Sequence, residues 1–469
     1  MKRFLLSAIF IAATITSYSQ ALNYDNLALL FSNENQNGSA RFNAMSGAFG
    51  ALGGDISSLS VNPAGAAVFK TSAFSVSGSS RETNITSNFY GNSLTTQNEY
   101  FNINQAGAVL VFDNYEDSDW DKVAFGFNYR IRNNFDNTFA VEGNSGVATF
   151  VEYPDDASNP KTQYNVAENQ HFSNTYNGEI SEFNFAISGA YQRKLYVGAA
   201  LNTVSLQFNQ YARLKEQNND GNGDILNADF YQENLTSGTG FSLSAGFIYK
   251  ANKFIRFGAS YETPTWYTEI IEETNITPNH GERLGSIPYL GDTNITISSN
   301  TNEFYSNNAN NNYPIQATNY KLKTPSRLTL SGALVFGRNG LLSVDYIRKG
   351  YQKMNLSNGD FSAENQFFTN KLRNTTTLNV GTEWRLDKLS LRGGYRYEQS
   401  PRQDAIESDN LKGYSFGVGY NFGNTKFDIG YSDRNKTSFY DVYPEYNNIN
   451  TVDLKTDNKI ITATLTFNL

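Results

Sequence analysis

Apolar residues alternate with small or polar ones at every second position, and this pattern constrains the fold more than any other feature. Residues 123–131 carry Val, Phe, Phe, Tyr and Ile at odd positions and Ala, Gly, Asn and Arg between them. The same pattern recurs near 183–187, 241–249, 328–336, 378–386, 389–397, 414–422, 427–431 and 461–469. A period of two gives each β-strand one apolar face. Such segments are typical of transmembrane barrel strands, although strands of a soluble β-sandwich also alternate.

The connections between these segments favour the barrel. Short, turn-like connectors are predicted near 114–120, 192–194, 251–253, 337–340, 386–388 and 423–425. Longer polar loops are predicted near 81–99, 135–178, 209–237, 269–321, 353–372, 399–411 and 436–456. Strict alternation of short and long connections is expected when all periplasmic hairpins are of one kind and all outer loops of the other. We therefore predict an all-β fold, a transmembrane antiparallel β-barrel of about fourteen strands over residues 68–469.

Composition excludes several other classes of protein. The chain holds 34 Phe and 30 Tyr, an aromatic content that is incompatible with bulk disorder. Its net charge of -8 makes it a poor general binder of nucleic acid, which requires a basic face. The absence of Cys excludes disulfide scaffolds, thiolate zinc sites and iron–sulfur clusters. We expect no nucleic-acid partner, no bound metal and no cofactor.

The N-terminus has the pattern of a secretory signal peptide. Lys2 and Arg3 precede an apolar stretch from Phe4 to Ile15, and small residues at Ser17 and Ser19 predict cleavage before Gln20. No apolar run of about 18 residues follows, so the sequence contains no candidate transmembrane helix. We expect residues 1–19 to be removed and the remaining chain to lie in a bacterial outer membrane.

Charged residues fall on the face that alternation turns away from lipid. They are Asp345, Lys349, Glu383, Arg385, Arg392 and Arg396. A charge facing lipid near the bilayer midplane costs a few kcal/mol, so we place these side chains in the lumen. One hypothesis makes them a ligand-headgroup or gating network. The other, which we favour, makes them ion pairs that brace the lumen or hold a plug.

Residues 20–67 lack the alternation of the strands. Residues 25–31 predict a short helix with an Asp or Asn cap. Small residues dominate the following stretch, which ends in Asn62-Pro63-Ala64-Gly65 and permits close backbone packing. Such a segment ahead of a barrel predicts a hatch inside the lumen, and the alternative is a periplasmic tail.

The stretch 38–65 resembles the N-terminal hatch of the FadL/TodX family of outer-membrane transport proteins. In that family a small-residue stretch with an acidic residue, here Asp55, leads into an Asn-Pro-Ala-Gly motif and then the first strand. Residues 324–330 and 391–401 are similar to late strands of the same family. The resemblance covers both ends of the barrel and is weak across the loops at 135–178 and 269–321.

The resemblance implies a monomeric barrel that passes long-chain fatty acids or aromatic hydrocarbons across the outer membrane. It places hatch or gating roles on Asp55, Asn62, Pro63, Ala64 and Gly65. Our candidate ligand-binding residues, which no motif fixes, are Arg130, Arg132, Arg392 and Arg396; the first two lie on the strand where the family has an inward kink. Phe and Tyr residues of the outer loops could line a groove: Phe150, Phe172, Tyr176, Tyr289, Phe304, Tyr305 and Tyr313.

The expected partners are a hydrophobic small molecule, outer-membrane lipid and the barrel-assembly machinery. The last follows from the alternating final strand, although the chain ends in Leu469 and not in an aromatic residue. An enzyme is not expected, because the two histidines, His171 and His280, lie in predicted polar loops without a recognisable partner. A haem receptor, a general porin and an adhesin remain as alternatives.

Overall fold

A computed structural model describes residues 22–114, 118–154, 156–275, 295–299, 304–306, 316–444 and 446–469. The predicted signal peptide and its cleavage site lie outside these residues. The strands are β1 (Ala73–Phe89), β2 (Asn92–Asp113), β3 (Trp120–Asn134), β4 (Asn137–Gly143), β5 (Val166–Tyr191), β6 (Leu195–Asn219), β7 (Ile225–Lys250), β8 (Ile255–Glu262), β9 (Trp266–Asn275), β10 (Ile295–Ser299), β11 (Phe304–Ser306), β12 (Gln316–Lys323), β13 (Arg327–Phe336), β14 (Gly340–Lys349), β15 (Asn355–Ser357), β16 (Thr375–Leu386), β17 (Leu389–Glu398), β18 (Leu411–Asn421), β19 (Thr425–Tyr440) and β20 (Val452–Asn468).

These strands form one antiparallel sheet that closes on itself, because β1 pairs with β2 on one side and with β20 on the other. Several barrel strands are interrupted. Both β3 and β4 pair with β5, so together they form one interrupted wall strand. In the same way, β8 and β9 both pair with β7. The next wall strand consists of β13, which pairs with β8, and β12, which pairs with β9. Counted as continuous wall strands, they give a closed barrel of 14 strands, which confirms the predicted fold. Closure pairs the first strand with the last, so the sheet has no free terminal strand.

The two faces of the wall carry the predicted residue types. On β3, Phe125 and Phe127 are about 40% exposed on the outer face, whereas Ala124, which faces the lumen, is fully buried. On β20, Ile461 and Leu465 point outward, and Thr462 and Thr464 are buried inside. The charged residues Asp345, Lys349, Glu383 and Arg396 are also buried. Period-two alternation therefore sorts apolar side chains to lipid and polar ones to the lumen, as expected.

Two of the predicted outer loops are wrong. Residues 81–99 belong to β1 and β2, which are joined by a tight turn at Tyr90 and Gly91, both with positive φ. Residues 209–237 belong mostly to β6 and β7, joined at 220–224. Residues 166–178, also predicted as loop, extend β5, so β5, β6 and β7 reach 26, 25 and 26 residues. In these extensions the outward face becomes polar, and the lumen face carries apolar residues such as Leu206, Leu214 and Phe230 among polar ones. The alternation is thus the reverse of that in the membrane-spanning segments, and we read it as loop.

The wall has a gap beside the interruption of the third wall strand. β2 pairs with β3 only between Gln105 and Asp113, and its residues 92–103 pair with β1 alone. Beyond Asn134 the chain turns at residues 135–136 into β4, which contacts β2 through side chains such as the Asn98 amide, a donor to the Thr138 carbonyl at 2.9 Å. Main-chain hydrogen bonding between β2 and its neighbour therefore stops halfway up the wall.

The helices lie in the N-terminal segment and in one outer loop. They are α1 (Tyr24–Ser32), α2 (Ala40–Ala44) and α3 (Ser362–Lys371), with 3-10 helices at Ile56–Ser60, Pro63–Val68, Tyr351–Lys353 and Glu407–Asp409. The predicted helix is present, but it begins before Asp25, and the side chain of its N-cap, Asn23, makes no capping hydrogen bond. In the described part of the chain, no helix combines the length and the apolar character needed to cross a membrane.

Residues 22–68 run through the barrel, and we call this segment the hatch. Near its start, the Leu22 N–H donates to Gln210 of β6 at 3.1 Å. Helix α1 follows, with Phe31 packed edge-on against Phe135 and Phe208 at ring distances of 6.0 and 5.5 Å. The chain then crosses the lumen, turns back through the two 3-10 helices and enters β1 at Ala73.

The hatch, its ion pairs and the cavities of the lumen as candidate functional site

Asp55 and Asn62 each begin one of the hatch 3-10 helices. The Asp55 carboxylate accepts from the Ser57 N–H at 3.0 Å and from the Ser39 hydroxyl, and it lies 4.0 Å from Arg41. The Asn62 side-chain oxygen accepts from the Ala64 N–H at 3.2 Å, and Pro63 follows at the first helical position. A side-chain acceptor satisfies a free N–H at a helix start, and proline fits there because it lacks one.

The Asn62 amide also joins the hatch to the wall. Its nitrogen donates to the Gly50 carbonyl at 2.8 Å and to the Phe247 carbonyl of β7 at 3.0 Å. Asn62 is 1% exposed and Ala64 is fully buried, so these bonds form away from solvent. Sequence reasoning identified this motif by resemblance, and the geometry gives it a physical reason: one amide caps a helix and bridges two backbone carbonyls.

Glycines of the wall make room for backbone and side-chain atoms of the hatch. A Cβ added to any of nine glycines would lie within 3.0 Å of a hatch atom: Gly107, Gly126, Gly198, Gly246, Gly258, Gly381, Gly394, Gly417 and Gly430. They lie on nine strands around the barrel, and we call them the glycine belt. At Gly198 the added carbon would meet the Ala64 nitrogen and the Pro63 carbonyl group. Within the hatch, Gly65 similarly packs against Ser58 and Gly53. Only glycine permits so close an approach of two backbones.

A single hatch carboxylate, Glu34, is surrounded by cations of the wall. Its oxygens lie 2.7 Å from Arg130, 3.5 Å from Arg132, 2.8 Å from Arg327 and 3.6 Å from Lys349. Burial by itself would raise the pKa of the Glu34 carboxyl, but the four cations outweigh burial and hold this pKa well below its usual range. Glu34 lies on the hatch and not on a membrane-spanning strand. Sequence reasoning missed Glu34, because nothing in the local sequence shows which strands it will meet.

The predicted ligand-binding arginines Arg130 and Arg132 thus belong to this network. Arg130 also pairs with Glu182 at 2.8 Å, and Arg132 lies 3.3 Å from Glu182 and 3.7 Å from Glu262. In this conformation their charges are satisfied by carboxylates of the protein. Arg396, the other candidate at this level, pairs with Glu398, which also lies 3.9 Å from Lys349.

A second network ties the hatch to strands β16, β17 and β19 of the wall. Arg41 contacts Glu383 at 2.7 Å, Arg392 contacts the same carboxylate at 2.7 Å, and Arg392 also contacts Asp428 at 2.7 Å. Arg385 is a further partner of Glu383. The lumen charges therefore brace the hatch, as the favoured hypothesis predicted. A cavity of about 700 Å³ lies below them at the periplasmic end, among the short hairpin turns.

Apolar side chains fill the outer half of the lumen in two clusters. The outer cluster packs residues of β1, β4 and β5–β7 with the loops at 144–165 and 441–451. The inner cluster packs α1 and α3 with β5, β6, β9 and β12. Leu22 and Tyr176 contact both clusters, which makes the apolar interior continuous. Its depth was not predicted from sequence, because its members are separated by polar lumen residues along each strand.

The buried Glu216 carboxylate holds the outer loops over these clusters. It accepts from the N–H groups of Thr149 and Phe150 at 2.6 and 3.0 Å and from the Tyr443 hydroxyl at 3.0 Å. Of the loop aromatics proposed to line a groove, Phe150, Phe172 and Tyr176 lie in or against the outer cluster. Tyr289 and Tyr313 fall outside the described residues, and the side chains of Phe304 and Tyr305 are not described.

A smaller cavity of about 230 Å³ lies at the interruption of the wall, beside residues 133–137; we call it the side cavity. Its lining combines asparagines, such as Asn102 and Asn458, with the cations Arg81, Arg434 and Lys436 and with apolar side chains of both clusters. Sequence reasoning did not identify it, since its residues come from β1, β2, β3, β19 and β20 and from the hatch.

The histidine prediction needs one correction. His171 lies on β5, opposite Lys215, and not in a loop, whereas His280 falls outside the described residues. Across the described ranges, no group of three or more His, Cys, Asp or Glu is arranged to hold a metal ion.

Comparisons with known proteins agree with the fold and identify the family. A model of the outer membrane protein transport protein family (OMPP1/FadL/TodX) matches residues 26–469. A Pseudomonas aeruginosa FadL homologue is similar in structure, with TM-score 0.59, 13% identity, and coverage of 93% of this chain and 99% of that one.

Two further solved structures share the fold. The Pseudomonas putida toluene transporter TodX gives TM-score 0.52 and 14% identity over 93% of this chain and 100% of its own. The CymD monoaromatic hydrocarbon channel gives TM-score 0.52 and 12% identity over 93% and 99%. A search of curated proteins found no match. On the family match across almost the whole sequence, this chain belongs to the OMPP1/FadL/TodX family of outer membrane transport proteins and is a transport barrel, not an enzyme.

Proposed function

We propose that this barrel carries hydrophobic small molecules, long-chain fatty acids or aromatic hydrocarbons, across the outer membrane. The observation that carries the proposal is the continuous apolar interior above the hatch, where two clusters meet at Leu22 and Tyr176. An apolar solute gains free energy when it leaves water for such surroundings. A general porin would instead keep a polar, water-filled lumen.

The hatch is the gate in this proposal, with Asp55, Asn62, Pro63, Ala64 and Gly65 as gating residues. Support comes from its fit against the glycine belt and from the amide of Asn62, which bonds to hatch and wall together. The gap beside β2 offers a solute held above the hatch a route out through the wall. Arg130, Arg132, Arg392 and Arg396 contribute to ligand binding only if they separate from their present carboxylate partners. For Arg130 and Arg132 these include Glu34 of the hatch, and for Arg392 and Arg396 they are carboxylates of the wall.

The same proposal covers the processing and the partners of the chain. Residues 1–19 are removed as a signal peptide near Ser19 and Gln20, residues 20–67 form the hatch domain, and residues 68–469 form the barrel. The mature protein acts as a monomer in outer-membrane lipid, where the barrel-assembly machinery inserts it. Support comes from the sequence pattern at each end and from the closed wall, whose outer face is apolar.

Uptake by whole cells tests the transport function. Bacteria that lack their own fatty-acid transporter would express this protein, and uptake of labelled oleate and labelled toluene would be measured. We expect at least one of the two to enter faster than in cells without the protein. No increase for either solute, despite a heat-modifiable folded barrel, would contradict the proposal and favour haem reception or adhesion.

Asn62→Ala with Pro63→Ala tests the gate. The variant loses a helix cap and leaves the Gly50 and Phe247 carbonyls without their donor, a cost of about 1–3 kcal/mol in the hatch. We expect lower uptake with normal barrel assembly. The matched control is Asn339→Ala, an exposed residue in a periplasmic turn. Uptake at the wild-type rate in the double variant would refute the gating role.

A further inference from the structure

The cavity at the periplasmic end of the barrel holds more cations than carboxylates. Eight cationic side chains and four carboxylates are among the described residues that line it. The chain as a whole has a net charge of -8, so this excess is local and opposite in sign to the total. We use the name basic mouth for the opening of this cavity with five of its cations, Lys70, Arg256, Arg338, Lys388 and Lys426.

Three of the four carboxylates in the cavity are already paired with other cations. Asp55, Glu383 and Asp428 are contacted by Arg41, Arg385 and Arg392 of the second network. For the five cations of the basic mouth, the described residues supply no carboxylate oxygen within 4.0 Å. Glu383 and Asp428 attract Lys426 from farther away, but Arg41 and Arg385 repel it. The basic mouth therefore keeps a positive excess after internal pairing.

Positive charge is concentrated where β7 and β8 meet. Lys250 and Arg256 are directly opposite each other on these strands, and like charges in that position are destabilising. The Arg256 guanidinium donates to the neutral Leu52 carbonyl of the hatch at 3.3 Å. The charged side chain that acts on it most is another cation, Arg385. The chain thus retains this pair of cations at a cost that its own contacts do not offset.

Lys250 extends the same positive region beyond the cavity lining. Its ammonium group donates to the Tyr196 hydroxyl and lies 4.4 Å from the centre of that ring. The charged groups that act on it most are all cations: Arg256, Lys122 and Lys70. Of these three, only Lys122 has a carboxylate nearby among the described residues, Asp113 at 3.7 Å. A partner with negative charge would relieve repulsion across this whole side of the opening.

The cations of the basic mouth are accessible from the periplasm and not from lipid. Arg256 precedes Phe257, and Lys426 precedes Phe427; both phenylalanines are exposed on the outer face, so alternation turns the two cations inward. Four cations of the mouth are exposed to solvent: Lys70, Arg338, Lys388 and Lys426. A soluble anion therefore reaches them directly, whereas the headgroups of surrounding lipid lie outside the wall.

The spread of these cations selects an extended occupant with several negative charges. They come from five separate parts of the chain: the end of the hatch, the start of β8, the turns after β13 and β16, and the start of β19. A small anion is bound by donors that converge on one point, whereas several carboxylates along a flexible segment match cations around an opening. At about 700 Å³ the cavity falls within the ~300–1,000 Å³ of sites that enclose a drug-sized molecule, so it has room for a few residues of a peptide.

We propose that the basic mouth is a docking site for an acidic segment of a soluble periplasmic protein. Charge complementarity carries the proposal, since opposite charges speed the encounter of two proteins and select the partner. The docked segment lies directly below the hatch, because Leu52, Gly54 and Phe69 also line the cavity. This inference goes beyond the transport function and holds whichever solute crosses the barrel.

Equilibrium binding to the full-length protein in phosphatidylcholine nanodiscs tests the docking site. The probe is a fluorescent octaglutamate peptide, and octaglutamine is its neutral match. We expect octaglutamate to bind the wild type and to bind Arg256→Gln/Lys426→Gln ~10-fold or more weakly. The matched control, Lys455→Gln/Lys459→Gln, removes two exposed cations from the outer part of β20 and should bind like the wild type.

Asp387→Asn tests the sign of the effect. Asp387 is the fourth carboxylate of the cavity; it is exposed and has no ion pair among the described residues. Its removal should tighten octaglutamate binding ~2–5-fold, because a repulsive charge leaves the mouth. Structural damage does not produce a gain in affinity. If Arg256→Gln/Lys426→Gln does not fold, Arg338→Glu/Lys388→Glu replaces it, since both side chains are exposed in hairpin turns.

Two competitors decide between this partner and other occupants. Millimolar phosphate at constant ionic strength should leave octaglutamate bound, and complete displacement would make the mouth a small-anion site and overturn the proposal. Phosphatidylglycerol added to the nanodiscs should also leave binding unchanged, and its loss would show that lipid fills the mouth. Absence of octaglutamate binding by the wild type, equal binding of octaglutamine, or equal affinity of the wild type and the mouth variants would likewise overturn it.

Discussion

The two parts of the hatch are held in different ways. Residues 38–68 lie against the glycine belt, in places backbone to backbone, and they are also held by the polar bonds of Asn62, by the ion pair of Arg41 with the wall and by small apolar clusters. Helix α1, in contrast, presents Leu27, Phe31 and their neighbours to an apolar cluster, and below it Glu34 is held by four cations. The first part fits one shape of wall, whereas the contacts of the second are of a kind that an apolar or acidic ligand could replace.

This difference suggests how a plugged barrel can admit a solute without unfolding. Hydrophobic contacts are not directional, so apolar ligand atoms can substitute for side chains of α1 at little cost. Backbone packing against glycine offers no such substitute, because a displaced hatch would leave its carbonyl and N–H groups unpaired. We therefore expect α1 to yield before residues 38–68 do.

The largest effect is expected for Glu34→Gln. The change leaves Arg130, Arg132, Arg327 and Lys349 with one carboxylate fewer among them, and breaking a buried ion pair costs about 3–5 kcal/mol. We expect faster hydrogen exchange in residues 22–37 than in 38–68, measured by mass spectrometry. The control is Asp229→Asn, whose partner Arg213 is 44% exposed and whose loss should cost less than about 1 kcal/mol.

Equal acceleration of exchange throughout residues 22–68 would show that the hatch opens as one unit. The idea that residues 22–37 open before residues 38–68 would then be wrong.

A smaller effect, confined to the other part, is expected for Gly198→Ala. The new methyl group would press on the Ala64 nitrogen and the Pro63 carbonyl group, and overpacking of this kind costs about 1–3 kcal/mol. We expect larger or more frequent conductance steps in planar bilayers, because the lower hatch separates from the wall. Gly332→Ala is the matched control, since a Cβ there meets nothing within 4 Å.

Conductance of Gly198→Ala that matches both the wild type and Gly332→Ala would mean that the belt tolerates a side chain. The close fit would then be incidental to closure.

The sequence sufficed for the parts of this molecule that depend on local pattern. Alternation predicts the wall strands because a period of two places every second side chain on one face, and it also predicted the inward charges at Glu383 and Arg396. The hatch was predictable from the density of small residues and from Asn62 and Pro63. None of these inferences required knowledge of which strands lie next to each other.

What could not be predicted depends on contacts between distant residues. Glu34 gains its meaning only from Arg130 and Arg327, which lie about 100 and 290 residues further along the chain. The side cavity likewise joins Arg81 to Arg434 across the closure of the barrel. Local signals existed for two of the wall interruptions, where Pro264 and Pro325 stop the ladder, but the turn at 135–136 contains no proline.

The smallest effect is expected from pH, and it sharpens the comparison because its sign is fixed. Since its cations lower the pKa of Glu34, the folded hatch binds fewer protons at this group than the unfolded chain does. The stability that Glu34 contributes is therefore complete above the ordinary carboxyl range and is lost as pH falls from that range through the lowered pKa. Between pH 8 and pH 5 we expect the exchange-corrected protection of residues 22–37 to stay constant in the wild type. Opening already at pH 5–6 would mean that another titrating group, and not the ion pairs of Glu34, holds this part of the hatch.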